Sequence, residues 1–138
     1  MTAEMFIAAI APLLKARGFN KARATWRRVQ PESVAVFNVQ KSPWGGGVFY
    51  LNVGVYFSAL GTARAPTENA CHVQWRLELD APARVVEEAA AWFDARSCLQ
   101  DAARLAEDDA TKGLVCKEVR GALMGGERQA ARRRMFKP

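Results

Sequence analysis

The segment from Phe37 to Phe57 most constrains the fold, and its sequence is FNVQKSPWGGGVFYLNVGVYF. Apolar residues alternate on both sides of its centre, which predicts two β-strands. Pro43 and the three glycines that follow Trp44 predict a bend between them. Asn38, Gln40 and Asn52 interrupt the apolar alternation, and these amides are therefore the first candidates for a site.

The register of this predicted hairpin can be argued from its two faces. In one register, the numbers of directly opposed residues sum to 90, and the apolar and polar side chains then lie on separate faces. A slip of one residue would place Asn38 opposite Leu51 and mix the two kinds of side chain on each face. The apolar face then holds Ala35, Phe37, Val39, Leu51, Val53 and Val55. The second face holds Asn38, Gln40, Tyr50, Asn52 and Tyr56.

Periodicity along the remaining chain predicts an α+β fold. Four antiparallel strands are expected at 24–29, 34–41, 48–57 and 70–79. An N-terminal helix capped by Thr2 and three C-terminal helices should cover one side of this sheet. The first of the three is opened by Asp80, with Pro82 in its first turn, and runs to about Arg96; the others are expected over about 98–108 and 114–123. We expect a single domain over 1–126, followed by a basic tail over 127–138 that is helical or disordered.

Composition narrows the class of protein. The apolar fraction of 50% and charged fraction of 25% are ordinary for a globular domain. No apolar stretch reaches the roughly 20 residues that span a bilayer, so no membrane association is expected. Three widely spaced cysteines, Cys71, Cys98 and Cys116, favour a reducing, cytoplasmic location over a disulfide framework. No motif predicts a metal site or a cofactor.

The net charge of +6 comes from the C-terminal end. Residues 1–110 carry 12 Lys and Arg against 12 Asp and Glu, and residues 111–138 carry 8 against 2. Such a tail can hold phosphates without reading base sequence, so nucleic-acid association is one hypothesis, and a solvated tail is the other. Its candidate residues are Arg128, Arg132, Arg133, Arg134 and Lys137.

Short patterns resemble a known family. They are Gly18-Phe19, Asn38 with Gln40-Lys41, Asn52 with Gly54-Val55, and Cys71-His72 with Arg76. In these the chain is similar to the bacterial domain-of-unknown-function family 4304, from about Leu14 to Leu79 and more loosely to about Leu105. The resemblance implies an α+β domain with an antiparallel sheet, and it implies no activity or catalytic residue.

A polar strip on the sheet is the main candidate site. Its residues are Asn38, Gln40, Asn52, Tyr50, Tyr56, His72 and Arg76. Together they would suit an anion, a polar small molecule or a protein partner. The alternative is a hydrated open sheet face.

The leading functional hypothesis is a non-enzymatic binding domain, an immunity-type role being one form of it. A small hydrolase or transferase using His72 is a weaker alternative. Adjacent Cys71 and His72 point to opposite faces of a strand and cannot pair directly, so no catalytic residue is assigned.

Overall fold

A computed structural model of the chain describes residues 1–107 and 113–122. Six antiparallel strands form one sheet in the order β1-β2-β3-β4-β5-β6. The strands are β1 (Asn20–Ala22), β2 (Thr25–Val29), β3 (Ser33–Lys41), β4 (Phe49–Phe57), β5 (Val73–Leu77) and β6 (Leu114–Val115). Each strand therefore pairs with its neighbour in sequence, and the sheet is a simple meander.

Four helices in the described part of the chain accompany the sheet. They are α1 (Ala3–Ala16), α2 (Pro82–Asp94), α3 (Leu99–Glu107) and α4 (Lys117–Arg120). As predicted, the Thr2 hydroxyl caps α1 by accepting a hydrogen bond from the Met5 N–H at 3.1 Å. Pro12 lies inside α1, which runs on to Ala16.

The α+β class is confirmed, but the prediction of about four strands is wrong. β1 is a three-residue, fully exposed edge strand, so it has no apolar alternation to detect. β6 has two residues and lies within a segment predicted to be helical over 114–123. The apolar residues of this segment lie in a short strand followed by the single turn of α4, and not in one continuous helix. The strand forms next to β5, where the Cys116 N–H donates to the His72 carbonyl.

The register predicted for the central hairpin is confirmed. β3 and β4 pair from Ser33 opposite Phe57 to Lys41 opposite Phe49. All six residues of the predicted apolar face are buried in the main core, where the helices contribute Phe6, Ile10 and Phe93. The helices therefore pack on one face of the sheet, which leaves the other face for the polar strip.

The opposite face, called the outer face below, is covered at one end only. The connection between β4 and β5, residues 58–72, contains two 3-10 turns, Ser58–Leu60 and Glu68–Ala70. Cys71 joins Val34, Val36 and Tyr56 in a small second core on this face. Because Cys71 packs over the sheet in this way, β5 begins at Val73 rather than at residue 70 as predicted.

Gly54 permits this covering, and its substitution tests it. A Cβ at Gly54 would lie 2.7 Å from both Cβ and Sγ of Cys71. Gly54→Ala should therefore lower the free energy of unfolding by about 1–3 kcal/mol through overpacking, as measured by urea unfolding.

The matched control for this substitution is Gly121→Ala. An added Cβ at Gly121 has its closest contact at 3.6 Å. The control should stay within about 0.5 kcal/mol of the wild type. Equal stability of both variants would contradict the packing described for Cys71.

Candidate functional site

A row of polar side chains crosses four neighbouring strands on the outer face. Thr25 of β2 lies opposite Asn38 of β3, Asn38 lies opposite Asn52 of β4, and Asn52 lies opposite Arg76 of β5. Opposed residues of antiparallel strands project to the same side, so the four side chains are lateral neighbours. We call Thr25, Asn38, Asn52 and Arg76 the polar row.

Asn52 is the centre of the hydrogen bonding in this row. Its side chain is buried, and its Nδ2 donates to Gln40 Oε1 at 3.0 Å and to Asn38 Oδ1 at 3.3 Å. Its Oδ1 accepts from Arg76 Nε at 3.1 Å. Asn38 continues the chain by donating to Thr25 Oγ1 at 3.0 Å. A buried amide with its donors and acceptor occupied is fixed in orientation, so the network holds its members in place.

The guanidinium of Arg76 is held on one edge and one face. Its Nε and Nη2 edge donates to Asn52 Oδ1 and, at 3.5 Å, to Gln40 Oε1. Its Cζ lies 4.3 Å from the ring centroid of Tyr50, at cation–π distance. Arg76 forms no ion pair with any residue in the described part of the chain. Its Nη1 and Nη2 edge is therefore open to a ligand, in the geometry that suits a carboxylate or phosphate.

Arg76 lines a cleft of about 350 Å³. The residues of its lining that bear on recognition are Gln40, Asn52, Glu68, Asn69, Gln74, Arg76 and Leu114. Gln74 Nε2 donates to the carbonyls of Asn69 and Cys71, at 3.1 and 2.9 Å, which fixes the connection beside the cleft. Gly113 completes the wall with a φ of +102°, and a Cβ there would collide with the Gln74 carbonyl oxygen.

Two of the predicted site residues lie away from this cleft. Tyr56 and His72 are each four residues from Asn52 and Arg76, about 13 Å along a strand. The Tyr56 hydroxyl accepts a hydrogen bond from the Ala63 N–H at 3.2 Å, under the 58–72 connection. The structure thus brings together Asn38, Gln40, Tyr50, Asn52 and Arg76 and separates Tyr56 and His72 from them.

The family model of the domain of unknown function DUF4304 matches residues 10–124. The chain belongs to the DUF4304 family. No curated protein and no solved structure gives a significant match. The match spans every residue of the polar row and of the cleft in this DUF4304 domain, and it ends before the basic tail.

Sequence reasoning missed part of the DUF4304 cleft. Glu68 and Asn69 lie between the predicted strands 48–57 and 70–79, where no periodicity assigns a residue to a face. Thr25 lies in a strand that was predicted, but its register against β3 was not. Pairing Thr25 with Asn38 would have followed from requiring a buried amide to find a partner across the strand.

Other predictions concern metals, membranes and the tail. Within residues 1–107 and 113–122, no three His, Cys, Asp or Glu side chains are grouped so that they could hold a metal ion. Over the same ranges, no helix combines the length and apolar character needed to cross a bilayer. The tail candidates Arg128, Arg132, Arg133, Arg134 and Lys137 lie outside the described residues.

His72 and Cys71 have structural contacts in the DUF4304 domain. His72 Nδ1 accepts a hydrogen bond from the Phe57 N–H at 3.0 Å, and the His72 ring centroid lies 4.4 Å from that of Tyr56. Burial raises the pKa of the Cys71 thiol to about 12, and its Sγ donates to the Thr67 carbonyl. Neither group has the environment of an activated nucleophile or its base.

Burial also lowers the pKa of His72 below its usual value, while Glu118 acts weakly in the opposite direction. A lowered pKa in the folded state means that the unfolded chain binds the proton first. Neutral His72 therefore stabilises the fold fully at pH values above its pKa in the unfolded chain, which is about 6.5. This contribution is lost as the pH falls through the lower pKa that His72 has in the folded protein. Protonation of Nδ1 would also remove the acceptor for Phe57.

The test compares urea unfolding of the wild type and His72→Asn at about pH 7.5 and about pH 5.5. The Asn Oδ1 can replace Nδ1 as acceptor but does not titrate. His72 is the sole histidine of the chain, so the wild type should lose more stability over this interval than the variant does. Equal losses in the two proteins would contradict the lowered pKa of the half-buried His72.

Proposed function

We propose that this DUF4304 domain is a non-enzymatic binding module that holds an anionic group of its ligand on Arg76. The observation that carries the proposal is the open Nη1 and Nη2 edge of a guanidinium whose other edge and face are already held. A pre-oriented arginine loses little side-chain freedom on binding, which favours recognition of a planar or trigonal anion.

The surroundings of Arg76 support binding rather than catalysis. The amides of the polar row are engaged with one another, and the cleft brings Arg76 together with Gln40, Asn52 and Gln74 but with no histidine or cysteine. The weaker alternative, a hydrolase or transferase using His72, has no support from the position of that ring. A protein partner, including one of the immunity type, and a polar small molecule both fit the proposal.

A location in the cytoplasm remains part of the proposal. All three cysteines are free thiols in the structure, with Cys71 buried and Cys98 and Cys116 partly buried. Burial raises the pKa of each thiol, which disfavours the reactive thiolate. Free, partly covered thiols accord with a reducing compartment.

The first test replaces Arg76 by Gln and titrates ¹⁵N-labelled protein with acetate, succinate and inorganic phosphate. In the wild type, at least one of these anions should shift the Arg76 Nε–H signal and the side-chain amide signal of Asn52. Loss of a charge-assisted hydrogen-bond pair should weaken its binding by at least about tenfold in Arg76→Gln.

Arg84→Gln is the matched control for this charge change. Arg84 lies on α2 with its side chain exposed, and it forms an ion pair with Asp80 at 3.8 Å. The control should bind the same anion with wild-type affinity. Unchanged affinity in Arg76→Gln, or shifts confined to other parts of the protein, would refute the assignment of Arg76.

A second proposal, nucleic-acid association, rests on the charge distribution. Residues 111–138 contain 8 basic and 2 acidic residues, whereas residues 1–110 contain equal numbers of each. Binding through such a segment should weaken steeply as salt concentration rises. Deletion of residues 127–138 should abolish salt-dependent binding to duplex DNA or RNA in fluorescence anisotropy. Binding that survives the deletion would exclude the tail.

A further inference from the structure

The cleft beside Arg76 contains two opposite charges that do not meet. Arg76 and Glu68 both contribute to its lining. Neither forms an ion pair with any residue in the two described ranges. A cleft lined by both a cation and a carboxylate contains an uneven electrostatic potential. A ligand with charges of both signs matches that potential better than a simple anion does.

We infer that the cleft takes a zwitterionic ligand, with a carboxylate on the Nη1 and Nη2 edge of Arg76 and an ammonium or guanidinium beside Glu68. The inference rests on the function proposed above and narrows its ligand class. A simple anion is attracted by Arg76 but repelled by Glu68, so the two contributions partly cancel. A zwitterion gains from both charges, and it is thereby selected over anions and cations of the same size.

The polar atoms near Glu68 suit the cationic end of such a ligand. Gln74 uses its Nε2 to donate to the carbonyls of Asn69 and Cys71. Its Oε1 accepts no hydrogen bond from the residues that the structure describes. The Gln74 amide oxygen and the Glu68 carboxylate together offer acceptors, which is what an ammonium or guanidinium needs.

The size of the cleft and one apolar residue limit the spacer between the two charges. The volume of about 350 Å³ lies at the lower end of the range for small-molecule sites. Leu114 is exposed and lines the cleft, so it offers contact to a short aliphatic segment. This chemistry is found both in free amino carboxylates and in an acidic and a basic side chain of one protein segment, and the test below separates these sources.

The experiment titrates the full-length ¹⁵N-labelled protein in two arms. The first arm uses ω-amino carboxylates from glycine to 6-aminohexanoate, each against the alkanoate and the alkylamine of equal chain length. The second arm uses end-blocked tripeptides with Asp first and Lys third, each against versions in which Asn replaces Asp or Gln replaces Lys. In at least one arm, the zwitterion should bind about tenfold more tightly than its singly charged counterparts.

Substitution of each charged residue then assigns the two ends. Glu68→Gln should weaken zwitterion binding about tenfold, to the level of the matching anion, and should leave the anion unchanged or slightly tighter. Arg76→Gln should weaken both. Glu87→Gln, an exposed residue of α2 with the same change of charge, should keep the wild-type preference.

The outcomes separate this inference from the function on which it rests. Equal affinity for zwitterion and anion, or a preference that persists in Glu68→Gln, overturns the zwitterionic ligand. If Arg76→Gln still weakens anion binding in that case, the proposed function stands. If Arg76→Gln changes nothing, both fail. Absence of binding by every probe in both arms also overturns the inference.

Discussion

The register between β3 and β4 is the constraint on which the rest of the structure depends. It opposes Asn38 to Asn52 and Phe37 to Val53, so each face of the sheet receives one kind of side chain. A shift of one residue would oppose Asn38 to Leu51 and send buried apolar side chains to the outer face. The helices pack on the apolar face because this register makes it continuous, and the polar row exists for the same reason.

The outer face is divided by the connection between β4 and β5. Cys71 fits over Gly54, where any side chain would collide with it, and the connection therefore covers the end of the face that holds Val36 and Tyr56. The other end, around Asn52 and Arg76, remains accessible. The cleft forms along the boundary between these two ends, where Glu68 and Asn69 of the connection come to border Arg76.

The structure changes the interpretation of the amides. Asn38 and Asn52 interrupt an apolar pattern and so resemble ligand contacts, yet their side-chain donors are used within the sheet. Asn38 donates to Thr25 and to the Ala24 carbonyl, and Asn52 donates to Gln40 and Asn38. The carboxamide oxygen of Asn52 orients Arg76. We therefore regard these two amides as positioning residues, while the edge of Arg76 is the group proposed to contact the ligand. In this arrangement the residue proposed to contact the ligand lies on a strand, and the hydrogen bonds of the polar row hold its side chain in place.

The sequence by itself determined the α+β class, the central hairpin, its register and the membership of its two faces. These follow from the alternation of apolar and polar residues between Phe37 and Phe57, and from the free-energy cost of mixing polar and apolar side chains on one face of a sheet. Only the tertiary structure decided that Arg76 joins Asn52, that Tyr56 and His72 are used elsewhere, and that Glu68 faces the cleft. Those outcomes depend on packing between segments distant in sequence, and the short strand β6 forms for the same reason, because it pairs with β5.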